Sequence, residues 1–551
     1  MHVTGVIERA FVSVRALALA VALVALLAPA AGAAPGPKAP TTAAAPAPLQ
    51  LPGDARAASV RQAPGTWIVG GRPGAATARI AARYGARPVV PSAGIYVVSK
   101  RRARELAGAL QLAGRLAMAE PDALATKEGM PSDPLTPQQW WLPSVVDLNL
   151  TPPPVTAQSP VLGIIEEEWD PNHPDMQGMV QTGTRTPPDE HGTAVAGAAG
   201  APANGVGIVG IWPGMRIFAP SYAGVACSTI TGSVNRATAA HVSVINMSYG
   251  FPTASCFAHL VATQRAFGAG IALVAAAGNE FNEGNPLSRP ATDPHVITAA
   301  ALKQDNTSAD FSNENGAIDV SAPGDTVLLP VPVQFDTDGT KDGYTNLDGT
   351  SFSSPIVAAV ATWLRAVRPE LSAGQVQSVL QESADDLGRR GWDQRFGYGR
   401  VNLRDALANR VPPTDPLEPN DDAEWVNGRR FPKADPPIFG RADRSKSLVA
   451  TLDRFEDPAD VYRVVLAPRS TTSFRMTVSA GDPDLDLYSG AVRSVAGTRG
   501  RLRHSERSGQ RAESFTFRNN NRSGRTVLVN PYIASGAPLD AAYRLTITRI
   551  R

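Results

Sequence analysis

The stretch Ile271-Ala272-Leu273-Val274-Ala275-Ala276-Ala277 is an unbroken apolar run closed by the turn signal Gly278-Asn279. It is short for a helix, and apolar residues at every position leave no face for water. It reads as a strand buried on both sides. Three more short apolar runs, at 161–165, 242–246 and 296–301, share this character, with Ala-rich stretches of helical length between them. Strands alternating with such helices predict a doubly wound, mostly parallel α/β sheet covered on both faces, spanning about residues 134–409. The Ala and Gly content of the helical stretches suits close approach to that sheet.

Three segments of this region carry chemistry. In His191-Gly192-Thr193-Ala194-Val195-Ala196-Gly197 a histidine opens a small-residue helix. Ala276-Ala277-Gly278-Asn279 ends the buried strand. Gly349-Thr350-Ser351-Phe352-Ser353-Ser354-Pro355 leads into Ile356, Val357, Val360, Trp363, Leu364 and Val367 at helical spacing. Pro355 is expected in that helix's first turn, where a missing N–H costs little. A serine at a buried helix N-terminus sits beside free N–H groups and the positive end of the helix dipole, which would stabilise an oxyanion. An asparagine amide supplies a second donor, and a neutral imidazole in reach takes the serine proton. Each segment alone has an ordinary structural reading as a turn, a cap or a core histidine. Their order makes them specific.

That order (acid, His, Asn, Ser) resembles the subtilisin-like serine peptidases. His173-Pro174-Asp175, Ile245-Asn246-Met247-Ser248-Tyr249-Gly250, Phe311-Ser312-Asn313, Asp319-Val320-Ser321-Ala322-Pro323-Gly324 and Gly399-Arg400-Val401-Asn402 extend the resemblance over about 134–409. It implies Ser351 as nucleophile, His191 as general base and Asn279 as oxyanion donor. It also implies substrate binding as an added strand between Ser248, Tyr249, Gly250 and Ala276, Ala277, Gly278. Broad specificity for protein or peptide substrates and a monomeric enzyme follow as expectations, with no cofactor needed for catalysis.

The sequence departs from the family at the acid. The family places Asp, a small hydroxyl residue and Gly after its first core strand, and counting back from His173 lands on Glu166 in Ile164-Ile165-Glu166-Glu167-Glu168-Trp169-Asp170. Glu166 is therefore expected to orient His191, with Glu167, Asp170 and Asp175 as reserves and Asp175 read as a turn-former. A glutamate fills this role in some α/β-hydrolases. The competing reading is an impaired homologue that survives as an exported binding protein. Losing the acid altogether costs about 3 × 10⁴ in kcat in subtilisin, less than losing Ser or His, so a displaced carboxylate still allows an active enzyme.

The flanking regions give four further expectations. Arg9 and Arg15 precede an apolar run at 16–29 and the small residues Ala31-Gly32-Ala33. The run falls short of the roughly 20 apolar residues a spanning helix needs, so 1–33 reads as a cleaved export signal of a secreted protein, with no later membrane contact. Residues 34–65, rich in Ala, Pro and Thr, read as a linker without fixed structure. Residues 66–127 read as a small α+β unit, and the resemblance makes it an inhibitory propeptide. Beyond the Pro-rich break at 411–416, period-two stretches at 460–466 and 543–548 predict an all-β, sandwich-like domain over 415–551. By resemblance it is the bacterial C-terminal domain of exported peptidases.

Cys227 and Cys256 are the only cysteines. Outside the cytoplasm such a pair is expected to be bridged, with two buried thiols as the other reading. No metal ligand is assigned. The acidic steps Glu418-Pro419-Asn420-Asp421-Asp422, Asp460-Val461-Tyr462 and Asp484-Leu485-Asp486-Leu487-Tyr488 read as solvated turns, with a structural calcium as the competing reading. A formal charge of +2 on 551 residues, with acids and bases in balance, argues against a nucleic-acid partner.

Overall fold

The computed structural model describes residues 62–551 except 124–128, 178, 180–188, 221, 223, 413–414, 432, 456 and 535–539. The stretch read as an export signal and nearly all of the stretch read as a linker therefore lie outside the described residues. The chain divides into two units, Met1–Thr126 and Lys127–Arg551.

In the first unit an antiparallel sheet has the order β2 (Arg87–Val90), β3 (Ile95–Ser99), β1 (Gln62–Gly71), β4 (Leu116–Ala123). Helices α1 (Ala75–Arg83) and α2 (Lys100–Leu112) accompany it. Leu106, Ala107 and Leu110 of α2 pack with Trp67, Val69, Tyr96 and Val98 of the sheet into one core. The charge run at its start, Lys100 to Arg102, stays on the exposed side. This is the α+β unit expected from the sequence.

The second unit begins with six parallel strands: β5 (Val161–Ile164), β6 (Arg216–Phe218), β7 (Val244–Met247), β8 (Ala272–Ala276), β9 (Val296–Leu302) and β10 (Val320–Pro323). Their order across the sheet is β10-β9-β8-β7-β5-β6. All five pairings are parallel. Helices α3 (Glu190–Gly200), α4 (Cys227–Ala239), α5 (Phe257–Gly268) and α6 (Thr350–Val367) connect and cover it. Every residue of β7, β8 and β9 is buried, which is why these strands read as continuous apolar runs.

Helix α6 lies deep in this core, with Ile356, Val357, Val360, Trp363 and Leu364 at most 1% exposed. Burying five such side chains contributes on the order of 10 kcal/mol as an upper bound. The chain reverses direction across the sheet at β5, and the carboxyl ends of the strands around such a reversal form a crevice where ligands bind.

After the peptidase-like region come two four-stranded antiparallel sheets built from strands between Ser445 and Arg549, in which the Ala541–Arg549 strand pairs with both Ser445–Leu452 and Thr471–Ala480. Their inner faces share one core that includes Tyr462, Phe474, Leu487, Val529 and Leu545. Alternate residues of the Tyr462–Leu466 strand point inward, as the period-two pattern predicts. Cys227 and Cys256 are joined in a disulfide, with Cα atoms 5.7 Å apart, tying the start of α4 to the start of α5.

Candidate active site

The acid stands two residues beyond the end of β5. Glu166 is 3% exposed, and its Oε2 lies 3.0 Å from Nδ1 of the half-exposed His191. The close approach depends on the residue after the histidine. A Cβ on Gly192 would come within 2.7 Å of the Glu167 carbonyl oxygen, so a side chain there would push α3 away from the strand end that carries Glu166. Asp189 caps the helix by accepting from the Gly192 N–H at 3.1 Å.

Of the reserve acids, Asp175 accepts from the Ile208 N–H at 2.8 Å and Asp170 from the Asn172 N–H at 2.9 Å. Asp170 thus closes a local turn, whereas the buried Asp175 ties two segments 33 residues apart, so the turn-former reading does not hold for its carboxylate. The imidazole takes Glu166.

Burial alone would lower the His191 pKa, but the Glu166 charge and hydrogen bond, with Asp189 and Glu190 nearby, carry it above its ordinary value. Burial raises Glu166. A general base must be neutral to accept a proton, so the acid limb of kcat/KM is expected at a pH above 6.5, the ordinary histidine value. A pH–rate profile of a chromogenic peptide checks this, and an acid limb below that value would count against His191 as the base.

The oxyanion side is built by two elements meeting at Thr350. Gly278 follows β8 with φ 105°, a conformation open to glycine, and turns the chain so that Asn279 faces the start of α6. The Asn279 Oδ1 accepts from the Thr350 N–H at 2.9 Å and from its hydroxyl at 2.8 Å, and the same hydroxyl accepts from the Gly278 N–H at 3.1 Å. With the amide oxygen held by a backbone donor, the Nδ2 donors are turned outward. Asn313 braces the turn, its N–H donating to the Gly278 oxygen at 3.0 Å and its Oδ1 accepting from the Glu280 N–H at 2.9 Å. The Phe311-Ser312-Asn313 motif thus serves the Asn279 loop.

Ser351 is the second residue of α6, where its N–H has no helical partner. Pro355 lies in the second turn rather than the first. There its missing N–H leaves the Ser351 carbonyl without its helical donor. The Ser248 hydroxyl supplies the replacement at 2.8 Å, and Asn246 Nδ2 donates to that hydroxyl at 3.0 Å. The Ser354 hydroxyl in turn donates to Asn246 Oδ1 at 2.7 Å. These contacts lock the start of α6 to the end of β7.

Neither Thr350 nor the Asn246–Ser354 pair was singled out from sequence. The available signal was a proline four residues after the serine, which announces an orphaned carbonyl.

The Ser351 hydroxyl donates to the Ser248 carbonyl at 3.4 Å. It is not bonded to His191 in this conformation, and such bonds are commonly loose before substrate binds. The His191 ring lies 5.8 Å from that of Phe352, the residue next to the serine. A cavity of about 480 Å³ opens beside Ser351, lined by Ser248, Tyr249, Gly250, Ala276, Gly278 and Asn279 among others. Of the expected substrate-binding residues only the buried Ala277 is absent from that lining.

The model of the subtilase family, peptidase group S8, matches residues 157–399. Subtilisin DY of Bacillus licheniformis is 35% identical over 222 residues, covering 39% of this chain and 77% of that protein. The chain belongs to the subtilase family. A probable subtilase-type serine protease of Deinococcus radiodurans is 34% identical over 244 residues, 40% of this chain but only 32% of that protein. Among solved structures, fervidolysin of Fervidobacterium pennivorans aligns with a TM-score of 0.47 at 17% identity over 88% of this chain and 95% of its own.

A second cluster of carboxylates lies where the peptidase region meets the β-domain. Ligand atoms of Asp415, Glu418 and Asp457 lie within 4.8 Å of one another, and so do those of His295, Glu418 and Asp421. The His295 ring stacks on Phe267 at 4.2 Å, with its Nε2 3.2 Å from Glu418. Asp457 and Asp460 are at least nine-tenths buried, and each has an Oδ1 without a hydrogen-bond partner among the described residues. Burial, then mutual repulsion with Glu418 and each other, drives both well above the ordinary carboxylate range. The solvated-turn reading therefore does not hold at Glu418, Asn420 and Asp460, which are buried, nor at Asp484 and Asp486, which are buried in the Pro483–Ser489 strand. Hard oxygen donors in such a group fit calcium chemistry.

Proposed function

We propose that this subtilase is an exported serine endopeptidase of broad specificity that hydrolyses peptide bonds through a Ser351 acyl-enzyme. His191 takes the Ser351 proton as the hydroxyl oxygen attacks the scissile carbonyl, and returns it to the leaving amine. Glu166 holds the imidazole tautomer and stabilises the imidazolium. The tetrahedral oxyanion is received by Asn279 Nδ2 and the Ser351 N–H, whose worth is about 10²–10³ in kcat per donor. Substrate lies extended between Ser248–Gly250 and Ala276–Gly278, bonded through its main chain, which tolerates varied side chains. Residues 66–127 act as an intramolecular inhibitor until removed.

The observation that carries this reading is the 3.0 Å contact between Glu166 and His191, which supports a carboxylate acting in the place of the family's aspartate. A fluorophosphonate probe is expected to label the protein at Ser351, with the label lost in Ser351→Ala. A binding protein without catalysis would not be labelled.

We also propose that the junction carboxylates hold a divalent cation, with calcium the best match to their oxygens. It would add to the positive charge of His295, whose pKa, against burial, Asp421 and Glu418 raise to about 10, and would have no part in the reaction. At a free calcium concentration a hundred times its dissociation constant, binding would stabilise the fold by about 2.7 kcal/mol. The expected result is a Tm that rises with calcium and falls with a chelator, a response that Asp457→Asn abolishes. A calcium-independent Tm would remove the proposal.

A further inference from the structure

A buried carboxylate has two oxygens to satisfy, and His191 uses one of those on Glu166. The other, Oε1, is buried and lacks a hydrogen-bond partner among the described residues. Its charged surroundings are almost all of its own sign: Glu167 and Glu168 follow it, and Asp189 and Glu190 stand at the start of α3 beside His191. Glutamate also has one more rotatable bond than aspartate, so a single contact to the imidazole fixes its carboxylate less well.

The neutral polar group facing this carboxylate is the phenol of Tyr222. Tyr222 follows β6, is 5% exposed, and its backbone N–H donates to the Glu166 carbonyl at 3.3 Å. Burial first, then the charges of Glu166, Glu167 and Asp189, keep its hydroxyl protonated and hence a donor. The ring is held edge-on by Tyr249 of the substrate-binding segment, with centroids 6.3 Å apart, and the Tyr249 hydroxyl is bonded to His259 Nε2 at 2.8 Å. Burial and the nearby Arg289 lower His259 to about 4, so that imidazole is neutral and the brace carries no charge.

We infer that Tyr222 is a positioning residue for the triad glutamate, its hydroxyl donating to Glu166 Oε1 and so turning Oε2 onto His191. The inference rests on the reading of Glu166 as the triad acid. It gives the loop after β6 a part in catalysis, and it explains how a longer acid serves where the family uses a shorter one. Through Tyr249 the same contact joins the acid to the segment that receives substrate.

The test is Tyr222→Phe, which keeps the buried ring and removes only the hydroxyl. The His191 pKa is read by NMR in the full-length chain carrying Ser351→Ala to stop autolysis, with His191→Ala to identify the signal. Without the phenol Oε2 is no longer turned onto the ring, so the Glu166 contact that raises His191 weakens and the His191 pKa should fall by about half a unit or more. With Glu166→Asp in the background, the shorter acid no longer meets the phenol and the shift should vanish.

In the otherwise unaltered enzyme, kcat should fall about tenfold at unchanged KM, less than the 10²-fold that a displacement of about 1 Å gives, because the contact to His191 is loosened rather than lost. An unmoved or raised His191 pKa, or an equal shift in both backgrounds, would overturn the inference. If the unaltered protein hydrolyses no peptide, the peptidase reading falls while the titration still decides the role of Tyr222.

Discussion

Replacing Ser351 by Ala is expected to lower kcat for peptide hydrolysis by about 10⁶-fold, with KM changed little, the cost of losing the equivalent serine in subtilisin. The size of the effect follows from the division of labour at the start of α6. In the proposed reaction the Ser351 hydroxyl forms the new bond, while the neighbouring Thr350 hydroxyl is taken up by Asn279 Oδ1. What remains should be the oxyanion donors and binding, worth about 10³–10⁴ over water. The fold should be indifferent, because the Ser351 oxygen makes a single 3.4 Å bond to the Ser248 carbonyl. A variant with unchanged Tm and a rate reduced less than about a thousandfold would place the nucleophile elsewhere.

The same helix shows how far a sequence can be read. Its apolar positions, its glycine entry and its serine were legible because they are local: 3.6-residue spacing and a turn signal announce them within one window. The consequence of Pro355 was not. The carbonyl it orphans is satisfied by Ser248, 103 residues away in sequence, and no local pattern specifies that partner.

The strands were legible for the same local reason. The run read at 242–246 is a strand from Val244 to Met247, with the Ser243 N–H just before it already donating to the Val161 oxygen of β5.

Charge patterns were the least legible. Glu418 and Asp421 looked like solvated residues because the sequence gives no hint that His295 and Phe267, from a different domain, close over them. Burial converts a harmless acidic turn into a group of carboxylates that cannot all ionise without a counter-charge. Glu166 is the opposite case. Its position could be counted from a neighbouring motif, while its reach to His191 depended on the backbone distance between the end of β5 and α3, which Gly192 sets.

That distance makes the acid the sharpest place to probe. Glu166→Gln preserves shape but removes the charge that stabilises the imidazolium, and kcat is expected to fall by about 10⁴-fold. The acid limb of the pH profile should move downward at the same time, because a neutral amide no longer raises the His191 pKa. Glu166→Asp keeps the charge but withdraws it by one methylene from an imidazole held by the packing of Gly192 against Glu167. A shift of about 1 Å is commonly worth 10²-fold, so the aspartate of the wider family should be the poorer acid here by about that factor. An Asp variant as fast as the natural protein would mean that the loop relaxes around the shorter side chain. A Gln variant as fast as the natural protein would remove Glu166 from the reaction altogether.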